Sequence, residues 1–324
     1  MRCNAVSSSP RRPLIVRLCN WIGDVVLSLP ALELLQARGW DLHLYGKGWA
    51  PTLLSGHGWP VHVRAATLRA RVQQLRALAA PLGGGGRVQA LAMPNSFSSA
   101  LELRLAGLQV AGYARDGRGL LLSRRLPPPQ GEHALEHFFA LATGLTGQAA
   151  QPPASIGLRT AAAAQARAEA VVRSRGWQNG YVCIAPFAAG TVHKQDKRWP
   201  GFPALVERLA AAGHTPVICP GPGAELAEAR SRFPQAALVE DLPLDAYGAL
   251  LRGSRLVMAN DTGPGHIAAA VGAPLLSVLG PTKVAQWRAW GPTVQLLTAE
   301  GGWPDVDTVA AAALQRLAHQ AAPA

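Results

Sequence analysis

Twice along its 324 residues the chain alternates short apolar strands with amphipathic helices, and a break at 151–153 separates the two series. Such alternation predicts parallel sheets whose strands are joined by right-handed helical crossovers. In the first series, residues 14–18, 42–45 and 61–63 read as strands. Apolar spacing predicts helices over 25–38, stopped by Gly39, and over 68–82, ended by the glycine run 83–86. Residues 88–93 read as a strand delivering Pro94, Asn95 and Ser96, with Ser96 placed to cap the next helix. The second series opens with an alanine-rich helix to Arg175. Its strands are predicted at 181–185, 216–219, 237–239, 256–259 and 275–279, and its helices at 200–212, 224–232, 244–252 and 265–271. A closing helix is expected over 304–320, with the option of packing back on the first domain. A chain of this length exceeds one hydrophobic core. The expectation is therefore an α/β fold of two Rossmann-like, doubly wound domains, residues 14–155 and 156–324, facing across a cleft. Ligands of such folds sit beyond the carboxyl ends of the strands, so chemistry belongs in the loops that follow them.

Composition narrows the function classes. Hydrophobic residues make up 49% and charged residues 15%, which excludes disorder for most of the chain. The apolar run 267–279 is broken by Gly272 and Pro274 and falls short of the ~20 residues of a membrane span. No basic start leads into an apolar stretch and a small-residue cleavage site, so export is not expected, and residues 1–13 read as a loose leader. Cys3, Cys19, Cys183 and Cys219 are widely spaced and suit reduced thiols of a cytoplasmic protein. The net charge of +12 calls for an anionic partner or reflects arginine drift. No basic stripe is interleaved with aromatics, so no nucleic-acid partner is expected, and an anionic glycolipid at a membrane face fits better.

The segment richest in chemistry is Asn260-Asp261-Thr262-Gly263-Pro264-Gly265-His266, between a strand and a helix. Gly263 and Gly265 allow close backbone approach, and a helix N-terminus attracts anions through its free amides and dipole. His266 on the first turn can donate to a phosphate. A plain capped connection suits the same residues. Asp24 follows Gly23 after the first strand, where it serves either as a helix cap or as a base for an incoming hydroxyl. Lys197 stands just before Trp199-Pro200, an electrostatically poor place for a lysine at a helix start. Glu225 lies four residues after Gly221, suiting either a ribose or an ordinary first helical turn. Asp305-Val306-Asp307 is a decoy for a metal pair, because residues two apart on a helix do not share a face.

These segments, taken in order, carry a resemblance. The run NDTGPGHIAAAVGAPLLSVLGPT resembles the C-terminal signature of glycosyltransferase family 9, the ADP-heptose:lipopolysaccharide heptosyltransferases. Asn20-Trp21-Ile22-Gly23-Asp24 is similar to that family's W-[IV]-G-D loop, residues 93–100 (MPNSFSSA) to the L-P-N-S-F-K-S-A of its heptosyltransferase II branch, and Lys197-Arg198-Trp199-Pro200 to its K-R-W-P. The four matches span residues 14 to 282. The resemblance implies a GT-B fold and an inverting, metal-independent transfer without cofactor. It implies Asp24 as the base, with Thr191 (or Lys194), Lys197, Glu225, Asp261, Thr262, Gly263 and His266 holding the nucleotide sugar. Asn95 and Ser96 would meet the acceptor. The loop 187–196 (FAAGTVHKQD) departs from the family pattern, which leaves Thr191 and Lys194 as alternatives for the phosphate contact. The implied donor is ADP-L-glycero-β-D-manno-heptose and the implied acceptor the lipopolysaccharide inner core, at the cytoplasmic face of the inner membrane. A family-9-like transferase with another donor is the runner-up. A GT-B nucleotide-sugar epimerase shares the fold but needs no acceptor, and a periplasmic-type binding protein would need an export signal.

Overall fold

A computed structural model of the chain describes residues 12–83, 87–188, 191–192 and 195–319. The first half contains β1 (Arg12–Arg17), α1 (Ile22–Ala37), β2 (Trp40–Gly46), α2 (Ala50–Leu53), β3 (Val61–Val63), α3 (Leu68–Ala79), β4 (Gln89–Ala92), α4 (Phe97–Leu105), β5 (Gln109–Tyr113), β6 (Arg124–Leu126) and α5 (Ala134–Thr146). The second contains α6 (Ala162–Ser174), β7 (Val182–Ala185), the short hairpin β8 (Thr191–Val192) and β9 (Gln195–Asp196), α7 (Phe202–Ala211), β10 (Pro216–Ile218), α8 (Ala224–Arg232), β11 (Ala237–Leu238), α9 (Leu244–Gly253), β12 (Leu256–Ala259), α10 (Gly263–Ala270), β13 (Leu275–Val278), α11 (Val284–Trp287), β14 (Val294–Leu297) and α12 (Val306–His319). Each half forms a six-stranded parallel sheet, in the orders β3-β2-β1-β4-β5-β6 and β11-β10-β7-β12-β13-β14. Strand order reverses between β1 and β4 in one sheet and between β7 and β12 in the other. The carboxyl ends of those strands are therefore the crevices in which a ligand is expected.

The strand alternation sorts side chains onto two faces. On the first sheet Ile15, Tyr45, Ala90 and Val110 pack with Leu75 of α3 and Leu103 of α4. Leu14, Val16, Leu44 and Leu91 turn the other way, onto α1 and α5. On the second sheet Val182, Ile184, Met258 and Leu276 meet α7 and α12, while Cys183, Val257 and Ala259 face α9 and α10. The inner faces of both sheets belong to one continuous apolar cluster, joined where α1 packs on α10 and α2 on α9. Two outer layers, α3/α4 and α7/α12, close the molecule on either side.

The closing helix corrects one expectation. It does not return to the first domain: Val309, Ala310, Ala313 and Leu317 of α12 sit in the cluster formed with α7 and the second sheet. Arg208 of α7 pairs with Asp307, and Arg255 donates to the Leu317 carbonyl, so apolar burial and polar contacts both hold α12 to its own domain. Asp305 is not on the helix but precedes it, accepting from the Thr308 N–H at 2.8 Å. The link between the halves is fastened elsewhere. Arg159 reaches Glu33 of α1 at 2.6 Å, and its backbone N–H donates to His57 Nε2 at 3.2 Å. His57 Nδ1 in turn lies 2.9 Å from Glu33 and 3.3 Å from Arg159 Nε, so the three side chains form one cluster. Among the described residues no helix is long and apolar enough to cross a membrane.

Candidate active site

The β1–α1 loop and the β12–α10 loop meet head to head. Gly23 and Gly263 make this approach possible. A Cβ at Gly23 would lie 2.7 Å from the His266 ring, and one at Gly263 would lie 3.1 Å from the Cβ of Ile22. A side chain at Gly23 would have to move the His266 ring, and one at Gly263 would crowd Ile22. Together the loops form the floor of a cavity of about 770 Å³, lined by Trp21, Asp24, Lys47 and Trp49 from the first half and by Phe187, Lys197, Glu225, Tyr247, Asp261, Thr262 and His266 from the second.

Asp24 stands in the first turn of α1. Trp21, not Asp24, occupies the N-cap position, and the helix start has no side-chain cap. Burial pushes the Asp24 carboxyl up to about 6, with nearby Asp261 adding to the rise and His266 and Lys197 opposing it. Asp261 behaves in the opposite way. Burial alone would raise it, but a hydrogen bond and charge from His266, and the Lys197 ammonium, hold it at about 2. Its Oδ2 lies 2.7 Å from Lys197 Nζ and accepts from Thr282 at 3.0 Å, while its Oδ1 is 3.4 Å from His266 Nε2. Two carboxyls in one cleft are thus pushed apart: one stays ionised as an anchor, the other titrates near neutrality.

Asn260 ties this floor together. It is fully buried, accepts from the Trp199 N–H at 2.9 Å and donates to the Pro186 carbonyl at 2.9 Å. The ends of β7 and β12 and the strand-to-helix segment carrying Lys197 are thereby locked in one arrangement. At the start of α10, Thr262 is the N-cap, with its backbone extended and its side chain making no cap bond. Pro264 has no N–H, so the terminus offers the amides of Gly263 and Gly265 to an anion.

The comparisons with known proteins agree. Residues 75–313 match the model of glycosyltransferase family 9 (heptosyltransferase). The chain belongs to this family. Over 124 residues it is 33% identical to lipopolysaccharide heptosyltransferase 3 of Escherichia coli, covering 36% of this chain and 35% of that protein. Over 100 residues it is 35% identical to lipopolysaccharide heptosyltransferase 1 of Pseudomonas aeruginosa, covering 29% and 28%. The matched stretch thus spans about a third of the length of these curated relatives. The fold is that of E. coli ADP-heptose lipopolysaccharide heptosyltransferase II, with TM-score 0.77 and 20% identity, covering 96% of this chain and all of that one. E. coli heptosyltransferase WaaC with ADP gives 0.72 and 21%, with the same coverage. Both solved structures establish the GT-B architecture.

Within this family fold, most of the sequence-derived residues converge on the cavity, but not all. Asp24, Lys197, Glu225, Asp261, Thr262, Gly263 and His266 line it. Glu225 also accepts from the Gly221 N–H at 2.9 Å, closing the turn before α8. His266 is buried and reaches Asp261 with Nε2, while its Nδ1 has no partner among the described residues. Asn95 and Ser96 do not line the cavity. They follow β4, where Asn95 accepts from the fully buried Arg118 at 3.3 Å and Ser96 accepts through its carbonyl from Ser99. Ser96 occupies the N-cap position of α4, yet its side chain caps nothing. Thr191 lies in β8, its side chain outside what is described, and Lys194 lies outside the described residues. Of the cysteines, Cys19 and Cys183 are buried free thiols, Cys219 is half-buried against the cavity, and Cys3 lies outside the described residues.

Asp24, Asp261 and Glu225 face only Lys47 and Lys197 as permanent cations among the described residues. Trp49, Tyr247 and Trp287 escaped the sequence reading because each lies in a loop or helix with no motif around it, and Lys47 reads in sequence only as one of several basic residues suited equally to an anionic acceptor or a solvated surface. Thr282 was within reach: it ends the GPT that closes the quoted run, and its hydroxyl holds Asp261.

Proposed function

We propose that this chain moves a heptose from ADP-L-glycero-β-D-manno-heptose onto the inner core of lipopolysaccharide, in one inverting displacement at the cytoplasmic face of the inner membrane. One observation carries the reading: a carboxyl from the first half, Asp24, pushed up to about 6, opens onto the same cavity as the Lys197–Asp261 pair and the α10 terminus from the second. Asp24 takes the proton of the acceptor hydroxyl as its oxygen bonds the anomeric carbon, and the bond from that carbon to the diphosphate oxygen breaks on the opposite side. Charge gathering on the departing diphosphate meets the Gly263 and Gly265 amides and the Lys197 ammonium, which Asp261 holds in place. Glu225 suits the ribose hydroxyls, His266 and Thr262 the phosphates, with Thr191 beside them. Asn95 and Ser96 serve the acceptor. The names of the relatives support the sugar and the acceptor, and no residue of the lining by itself separates a heptose from a hexose.

The test is a thermal-shift panel of ADP, UDP and GDP with their sugars, because a ligand that binds the folded state raises its melting temperature. ADP and ADP-heptose are expected to give the largest shifts. Lys197→Ala should weaken ADP binding about tenfold or more, the worth of a charged hydrogen bond, with each shift read against the variant's own ligand-free melting point. A uridine or guanosine preference would move the reading to another donor. Unchanged ADP affinity in Lys197→Ala would remove that residue from the diphosphate site.

A further inference from the structure

Charge and apolar exposure are concentrated in one short part of the chain. Residues 63–125 contain ten arginines, no lysine, and two acidic residues, a net +8 out of +12 for the whole protein. One of those acids, Glu102, is buried against Arg17, leaving Asp116 as the exposed one. Seven of the ten arginines are exposed. Five of the six exposed large hydrophobic side chains among the described residues fall in the same stretch: Val63, Leu68, Phe97, Leu105 and Leu120. Leu120 is 88% exposed. Single exposed apolar residues need no explanation, but their confinement to about a fifth of the chain, among arginines, does.

The fold gathers most of these residues around one layer; Arg124 is an exception, donating to the Leu145 and Gly144 carbonyls of α5 on the opposite face of the sheet. Helices α3 and α4 form the outer layer of the first sheet, and α4 packs on both α3 and the turn Arg118–Leu121 that carries Leu120. Arg76 of α3 donates to the Leu105 carbonyl at 2.8 Å, binding the ends of the two helices together. This layer faces away from the second domain. Leu68 and Phe97 open α3 and α4 at the carboxyl ends of the strands, the edge on which the cavity's Trp21 and Lys47 also stand.

From this we infer that the α3/α4 layer is a docking face for an anionic lipid bilayer. Its arginines would meet acidic headgroups while Leu105, Leu120 and their neighbours enter the headgroup–acyl boundary. Nucleic acid would use the arginines but leaves the aliphatic side chains without a role. The choice of a bilayer rests in part on the reading of a lipid-borne acceptor, and the placement of the face does not. Docked in this way, the layer would bring the rim of the cavity to the membrane surface.

The experiment is co-sedimentation of the full chain with vesicles of phosphatidylglycerol and phosphatidylcholine, against vesicles of phosphatidylcholine alone. Binding to the anionic vesicles is expected, weakening as salt rises. Arg69→Gln and Arg104→Gln should each lower vesicle affinity about fivefold, and the pair Leu105→Ser, Leu120→Ser should lower it further at any salt. Arg167→Gln with Arg173→Gln, on α6, should leave it unchanged. All four residues of the docking face lie at the surface, so circular dichroism and ADP binding are expected to match the parent. Equal binding to both vesicle types, equal losses from the α6 pair, or no loss from the docking-face variants would overturn the assignment. So would tighter binding to a short DNA duplex that ignores the leucine substitutions. Because vesicle binding needs no turnover, its failure is distinct from failure of the transferase reading, which the nucleotide panel decides.

Discussion

Asp24→Asn is expected to lower turnover by about two to four orders of magnitude, the usual contribution of a positioned general base, while ADP affinity stays within about twofold of the parent. The physical ground is the raised carboxyl. An acid near 6 is ionised at neutral pH and still basic enough to take a proton from an alcohol in flight. The rate of the parent should therefore rise about tenfold per pH unit up to about 6 and then level, whereas the asparagine variant should show no such limb. Stability should move the other way. A folded-state acid at about 6, against 3.8 for the free side chain, means that ionising Asp24 opposes folding; the penalty is absent below about pH 4 and complete above about 6. Removing the charge is thus expected to stabilise the protein by up to about 3 kcal/mol at pH 8 and by little at pH 4. An inactive variant that melts higher than the parent cannot be excused as misfolded. Near-normal rates, or a parent profile with no limb between pH 4 and 7, would remove Asp24 as the base.

Much of this site was legible in the sequence, for identifiable reasons. Strand-to-helix loops carry their own punctuation, so Gly23-Asp24 and Asp261-Thr262-Gly263 announced themselves, as did the strands that deliver them. Buried parallel strands read as short apolar runs, and the five predicted in the second half were all found; its edge strand β14, half-buried and carrying Gln295, was not. In the first half β5 and β6 were missed, one holding a glycine and the other beginning with two arginines. What periodicity cannot give is the partner of each side chain. Lys197 reads as a free cation in sequence, but the fold sets it 2.7 Å from Asp261, whose aspartate in turn is claimed by Thr282 and His266. Asn95 and Ser96 show the same limit: the buried Arg118, from a turn 23 residues later, engages Asn95, and neither residue lines the cavity.

Glu102→Ala is expected to destabilise the protein by about 3–5 kcal/mol, the cost of breaking a buried ion pair from one side. Glu102 is 1% exposed on α4 and is surrounded by arginines: Arg17 at 2.6 Å, Arg71 at 3.5 Å and Arg64 at 3.8 Å. Arg71 and Arg64 retain some access to water, but Arg17 is buried and would keep a charge without a carboxylate. A melting point lower by about 5 °C is the readout. The pair also reaches the active site, because Arg17 donates to Asn20 at 3.0 Å and Asn20 lies on the cavity wall four residues before Asp24. Replacing both partners separates these two roles. With Arg17→Met and Glu102→Leu the uncompensated charge is gone and most of the lost stability should return, since apolar side chains of similar volume replace buried ion pairs at little cost. Turnover should fall, because Asn20 then keeps only the longer bond from Arg64, at 3.4 Å. A double variant as unstable as Glu102→Ala would mean that the guanidinium acts chiefly through its bonds to Leu18 and Asn20 rather than through the pair. Full recovery of rate along with stability would show that the loop before Asp24 holds its shape without Arg17.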